Sequence, residues 1–503
     1  MKPKQSRRSF LKGVGTLCAG GMLPARAAPG NRYDLIVVGV GSGGFGAALA
    51  GARLGLRVLC LEIADEIGGN AVRSGVSMWE AGVGGTGFPF EIYKRLKKID
   101  LATGIYSFGR HIWWVGWKGF PGGEHVIDPK CAYRDTLRRH PEPGTTISHE
   151  FRKERWHGVV FEPDIYARTL RRMLRETGRV TLWTETTYKR VEVDQEMIRA
   201  LDLTNGRRVT ASVYVDGTGA GYLSRASGCT MLFGQESKDR FGEPGAPDKP
   251  NDRINGVTQI FRIAKTDSPG IENVPDSIPE ACWWGKYPAM SAVQYPNGDY
   301  NCNMLPTMKG NEFWQLGYAR ARVECGRRVR AFWRHVQKGW PEFQNYRIKS
   351  LAPALGVRED YRVLAEYVLK EQDLLAGIGN QDHEDIITIA DHSFDLHGAG
   401  GRGGEVKAPY GVPYRCLIPM KMKNLLVACR GAGFSSIAAS SCRLSRTMMQ
   451  LGQAAGTAAA IACEKHLDLP DVPATALRTR LRKQHVQLGW PTPPELAAYL
   501  ENE

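Results

Sequence analysis

The rhythm of apolar and polar positions changes three times between residues 33 and 62. Leu35 to Val38 is an unbroken apolar run and reads as a strand. It enters a glycine turn, Gly39-x-Gly41-x-x-Gly44, followed by an alanine-rich helical segment and a second apolar run that ends in Glu62. Further on, Phe161 to Thr177 has helical spacing, and four segments (Val180 to Thr184, Thr187 to Val193, Ile198 to Thr204 and Arg208 to Val213) alternate as short antiparallel strands, with Asn205-Gly206 as a hairpin turn. Residues 213–228 repeat the first device: a strand ends at Asp216 and a turn through Gly219 leads into a helix. Asn424 to Ala428 is a buried type of strand, and Leu444 to Glu464 is a helix with Gly452, Ala454, Ala455 and Gly456 at its middle. Glycine inside a helix costs about 1 kcal/mol relative to alanine. The cluster is explained either by something flat approaching the helix backbone or by tight packing.

A strand, a glycine turn, a helix and an acidic residue at the end of the next strand are the parts of a dinucleotide site. Gly39 permits the turn, Gly41 lets the backbone come close to a pyrophosphate, and Gly44 lets the helix pack on the sheet. Ser42 and Gly43 sit at the helix start, where free N–H groups attract phosphate. Glu62 is placed to accept hydrogen bonds from ribose hydroxyls.

The 503 residues allow a large core and two domains, with 42% apolar and 24% charged residues as in ordinary globular proteins. No later stretch is long and apolar enough for a spanning helix. The formal charge is +15, but Lys2, Lys4, Arg7, Arg8, Lys12 and Arg26 lie in the first 27 residues without an acid, so the rest carries +9. Those charges are scattered among acids, which argues against a nucleic-acid surface. Ser6-Arg7-Arg8-Ser9-Phe10-Leu11-Lys12, a weakly apolar stretch and Ala25-Arg26-Ala27 resemble a twin-arginine export signal over residues 1–27, implying a periplasmic or secreted protein. None of the eleven cysteines forms a CxxC, and Cys416, Cys429 and Cys442 fit no metal spacing, so they read as small buried residues with a disulfide left open. Electrons then leave through an external acceptor, and no metal is expected.

With all three pieces in view, the chain resembles the bacterial FAD-dependent oxidoreductases, relatives of the glutathione-reductase-type flavoproteins. The resemblance rests on Gly68-Gly69, Trp79-Glu80-x-Gly82-Val83-Gly84-Gly85, Phe161-x-Pro163, the Asp216 to Gly228 segment, and Leu355-Gly356-Val357-Arg358-Glu359 with Arg362. It continues through Asp395-Leu396-His397-Gly398, Pro413-Tyr414-Arg415, Arg443 and Gly452-Gln453-Ala454-Ala455-Gly456. Ala220 and Tyr222 depart from it, standing where acids are usual. The resemblance implies an α/β fold: a Rossmann-like FAD domain built from 31–95, 161–228 and 412–466, an inserted α+β substrate domain from 96–160 and 229–411, and a helical tail over 467–503. It also implies FAD held by Gly39, Gly41, Ser42, Gly43, Gly44, Glu62, Gly69, Asp216, Gly219, Gly452 and Gln453.

Flavin oxidation of a CH–OH or CH–NH unit needs a base for the second proton and a positive group near the reduced ring. His397 is the candidate base, with Asp395 to orient it or to take the role itself; His383 and His392 lie in the same polar loop. Arg443, at the start of the small-residue helix, is the candidate cation. Arg358 and Arg362, four apart at helical spacing, are candidates for an anionic substrate or the flavin, and Tyr361 for a weaker donor. The tryptophan groups Trp113, Trp114, Trp117 and Trp283, Trp284 suit stacking on sugars or core packing, which makes a carbohydrate one candidate for the small-molecule substrate. Reduction of an activated C=C bond, or a lyase, hydratase or hydrolase reaction with FAD in a structural role, are the alternatives.

Overall fold

The computed structural model describes residues 29–112, 122–140, 147–278, 289–397 and 403–503. The export-like segment, Cys18, Cys282, Gly398 and the five tryptophans singled out above lie outside them. A parallel sheet organises the first part of the chain. Strand β1 (Arg32–Val38) runs into helix α1 (Ser42–Arg53) and returns as β2 (Val58–Leu61). Helix α2 (Pro163–Glu176) precedes β3 (Val180–Trp183), and β4 (Tyr188–Asp194), β5 (Met197–Leu203) and β6 (Arg208–Asp216) follow. Late in the chain come β7 (Leu425–Val427) and helix α3 (Ser445–Lys465).

The parallel order is β3-β2-β1-β6-β7, and β6 also starts an antiparallel ribbon with β5 and β4. Val180 to Trp183 therefore differs from the antiparallel expectation. Its leading helix α2 carries the chain across, so β3 enters beside β2 in the same direction, while only β4 to β6 are joined tightly enough to alternate. Strand β1 is buried on both faces. Leu35 and Val37 pack among the helices, whereas Ile36 and Val38 pack on Leu201, Leu203 and Tyr214 of the ribbon.

The small residues in α3 are explained by α1, not by a flat ligand. A Cβ on Gly452 would lie 1.8 Å from the Gly43 carbonyl oxygen, and one on Gly456 would lie 2.2 Å from that of Ala47. From the other side, a Cβ on Gly46 would meet the Met449 oxygen at 2.2 Å. The two helix backbones touch along a line of glycines, and α3 is buried on all sides from Arg446 to Ala462.

A second, mostly antiparallel sheet gathers strands from distant parts of the chain, in the order 346–351, 261–265, 300–305, 289–294, 122–127, 103–112, 158–161, 78–79. Met78 and Trp79 join it although they follow the first nucleotide motif closely. Helix Tyr318–Gly339 covers one face with Val329, Phe332, Trp333 and Val336. Among the described residues all nine cysteines are free, and no helix is long and apolar enough to cross a membrane.

Candidate active site

The carboxyl ends of β2, β1, β6 and β7 meet at one place. Gly39 N donates to the Leu61 carbonyl at 2.7 Å, Gly217 N to Val38 at 2.8 Å and Ala428 N to Asp216 at 3.0 Å, locking the four strand ends side by side. Gly39 has φ +84°, and a Cβ there would strike the Gly217 backbone at 2.7 Å, so both conformation and space demand glycine. Gly43 and Gly44 are as confined, against the Ala428 and Gly39 oxygens. Gly41 is different: a Cβ would find only Gly69 Cα, at 3.8 Å, so its backbone stands open. The start of α1, with Ser42 half-buried, opens at the crevice beyond the strand ends, where open α/β sheets take their ligands.

Glu62 closes this cradle. Its Oε2 accepts from Val40 N at 2.8 Å and its Oε1 from Ala64 N at 3.0 Å. Burial raises its pKa, opposed by those two N–H bonds and by Arg73. Each oxygen keeps a lone pair for a further donor.

A second group of side chains lies where the loop after Ala390 meets the entrance to α3. His397 Nε2 is 2.6 Å from Asp395 Oδ2, and Arg443 Nη2 is 2.5 Å from the same oxygen. Arg443 is also held by Nε donating to the Ser440 carbonyl at 2.9 Å. Burial and then Arg358 push His397 down to about 4, against the pull of Asp395. Burial works against ionised Asp395, but the His397 bond and the Arg443 charge prevail and hold it well below the usual carboxylate range. Arg358 is lowered to about 10 by burial and by Arg443. Glu80 faces the same group: burial opposes its charge, yet His392, with Nε2 at 3.4 Å, and Arg139 bring it down to about 2. Half of the Glu80 side chain and a quarter of that of Asp395 are open, while burial is the leading influence on both. Both are thus partly accessible yet crowded by protein, as side chains lining a cleft are.

From residue 34 to residue 481 the chain matches the model of the FAD dependent oxidoreductase family. It belongs to that family. FAD is its cofactor, and the chain is an FAD-dependent oxidoreductase. The curated relatives it matches are similar over a short stretch: 43% identity over 51 residues to the mitochondrial dihydrolipoyl dehydrogenase of Schizosaccharomyces pombe, and 56% over 43 residues to the dihydrolipoyl dehydrogenase of Thermus scotoductus. The stretches are 10% and 8% of this chain, and 10% and 9% of those proteins. Among solved structures, a geranylgeranyl bacteriochlorophyll reductase-like protein from Thermoplasma acidophilum is 12% identical with a TM-score of 0.44, covering 94% of this chain and 96% of that one. The L-amino acid deaminase of Proteus myxofaciens is 11% identical with a TM-score of 0.38, covering 93% and 96%.

The fold brings four sequence candidates, His397, Asp395, Arg443 and Arg358, into one cluster, and His392 joins them through Glu80. The others separate. Arg358 and Arg362 do not share a helix, because Gly356–Val357 and Arg362–Val363 are short strands with a loop between. Arg362 is fully buried, paired with Glu359 and with Glu236 at 2.5 Å, and Nη2 also donates to the Gly234 carbonyl at 2.7 Å, so no edge of it is left for a ligand. Asp216 is sealed: Oδ1 holds Thr218 N and Oγ1, while Oδ2 holds Ser224 N and Oγ, which shapes the turn through Gly219. Gly219, half-buried at φ +86°, faces the Arg430 guanidinium. Gly452 is filled in by α1, and buried Gln453 donates to the Gln484 side chain at 2.9 Å, so neither meets a cofactor. His383 pairs with Asp373 at 3.2 Å, away from the cluster, and Tyr361 packs on Phe233. Sequence reasoning passed over Glu80 and Arg139. Glu80 stood in the Trp79-Glu80-x-Gly82 motif, but nothing in its neighbourhood along the chain points to His392.

Proposed function

We propose that the protein oxidises a CH–OH or CH–NH group of a small molecule in the cleft lined by His397, Arg358 and Glu80, with electrons passed to an external acceptor. Bound FAD supplies the hydride acceptor. Gly39, Gly41, Ser42, Gly43, Gly44, Glu62 and Gly69 would hold it, in a glutathione-reductase-type arrangement supported by the parallel sheet with its ribbon. The observation that carries the reading is the 2.6 Å bond between His397 Nε2 and Asp395. Since Asp395 stays ionised, the bonded nitrogen carries the proton and Nδ1 keeps its lone pair. A neutral imidazole, oriented by a carboxylate, is a base ready to take the hydroxyl or ammonium proton of a substrate. Arg443 keeps Asp395 charged, and its guanidinium adds positive charge beside the cleft, where electron density gathers during oxidation.

The test is anaerobic mixing of the flavin-loaded protein with candidate sugars, amines and hydroxy acids while the flavin absorbance is followed. Bleaching by one class supports the reading and names the class; turnover without bleaching or net oxidation overturns it in favour of a reaction in which FAD stays unreduced.

Export through the twin-arginine route is part of the proposal, supported by Arg7-Arg8 and the Ala25-Arg26-Ala27 site. Replacing both arginines by lysine retains the full-length protein inside the cell if this is right; unchanged export refutes it.

A further inference from the structure

Among the described residues, the arginines close to the cleft are, with one exception, already engaged. Arg443 is paired with Asp395, and Arg139 with Glu405 at 2.7 Å. Arg446 spends its N–H groups on the carbonyls of Glu80, Gly82 and Thr136 and on the Thr136 hydroxyl. Among the described residues Arg358 has no carboxylate partner. Its Nη1 is anchored to the Gly256 carbonyl at 3.1 Å and to Thr258 Oγ1 at 2.6 Å. Its Nε and Nη2 bond to no described residue, and neither is sealed from solvent, so that edge stays accessible.

Two anchors on one nitrogen fix the plane of a guanidinium. The remaining Nε–H and Nη2–H then form a side-on fork of the spacing that matches a carboxylate. The nearby acids do not fill the fork: Asp395 Oδ2 already serves two donors, and Glu80 is turned to His392. A buried cation left without a counter-ion is costly, which a bound anion relieves. Gly256 ties Arg358 to His397: its N donates to the His397 carbonyl at 2.8 Å while its own carbonyl accepts from Arg358 Nη1, so the fork and the base lie side by side.

We infer that the cleft takes a substrate bearing a carboxylate or an equivalent planar oxyanion, received by the Nε and Nη2 edge of Arg358, with the oxidisable carbon near His397. This rests on the reading of the cleft as the place of oxidation and narrows the substrate to small acids such as 2-hydroxy or 2-amino acids.

The experiment is calorimetric titration of the flavin-loaded protein with acetate, oxalate and benzoate, with benzamide as the neutral counterpart of benzoate. At least one carboxylate binds, and benzamide binds at least about tenfold more weakly than benzoate or not at all. Arg358→Gln, retaining its flavin, weakens carboxylate binding about 10- to 100-fold, and Arg358→Lys, with charge but no fork, recovers only part. Binding of none of the three acids, equal binding of benzamide, or an unchanged affinity in Arg358→Gln overturns the inference. The benzoate and benzamide comparison needs no variant, so it decides the matter even if Arg358→Gln does not fold. Failure of the oxidation reading looks different: carboxylates bind, yet no hydroxy or amino acid reduces the flavin.

Discussion

His397 donates from Nε2 to Asp395 over 2.6 Å, and this bond decides which ring nitrogen is left basic. Removing the imidazole removes the base. His397→Ala, with flavin still bound, slows flavin reduction by substrate about 10²- to 10⁴-fold, the usual worth of a positioned base. Asp395→Asn falls in the same direction, because an amide can also hold the ring in the opposite tautomer. Stopped-flow reduction rates equal to the parent's in both variants refute the assignment.

The acid limb of the pH profile is displaced. Burial and Arg358 hold His397 near 4, against an ordinary 6.5, and the unprotonated ring is the active form. The rate of flavin reduction therefore stays level from neutral pH downward and falls only as pH nears about 4. In the same interval the unfolded chain binds a proton that the folded chain refuses, so stability declines as pH drops from 6.5 to about 4. His397→Gln flattens that decline in a series of thermal midpoints. A kinetic limb at 6.5 contradicts the account.

Glu62→Gln keeps the size of the side chain but removes the charge and one acceptor oxygen from a carboxylate that braces Val40 N and Ala64 N. The purified variant carries less flavin, with affinity down by about tenfold or more for one lost charge-assisted acceptor. Flavin released on ultrafiltration measures it, and full retention at every dilution speaks against Glu62 as a cofactor residue.

Gly452→Ala places a methyl 1.8 Å from the Gly43 oxygen, where backbone stands on both sides and nothing flexible can yield. It costs at least about 3 kcal/mol, the upper part of the range for overpacking. Gly339→Ala, with nothing within 4 Å, stays within about 1 kcal/mol of the parent. Thermal midpoints of the two variants compare them directly.

Arg362→Met strips a buried cation from Glu236 and Glu359 and lowers stability by about 3–5 kcal/mol, as breaking a buried pair does. Whatever folded protein remains binds carboxylates like the parent. Titration of that fraction separates Arg362 from Arg358, two arginines that look interchangeable in the sequence.

Parts of the fold were legible because they are local. A glycine turn, the apolar run before it and the acid at the end of the next run lie within one short span, and the structure builds them as β1, α1 and β2. The order His397, Asp395, Arg443 was also readable, since these residues sit in two short motifs. What stayed hidden depends on partners far along the chain. The meaning of Gly452 lies in Gly43, that of Glu80 in His392, and that of Arg362 in Glu236. Helical spacing suggested a shared face for Arg358 and Arg362, but strand pairing with residues 257–258 and 231–232 pulls their segment straight.

The touching glycines of α1 and α3 set an order on the birth of the molecule. Gly43 leaves the ribosome long before Gly452, so the phosphate-binding turn waits without the helix that braces it until α3 is made. A nascent chain halted before residue 445 has the strand, the turn and the acid, and lacks their support. Any intermediate that meets FAD before α3 is made meets an unfinished cradle.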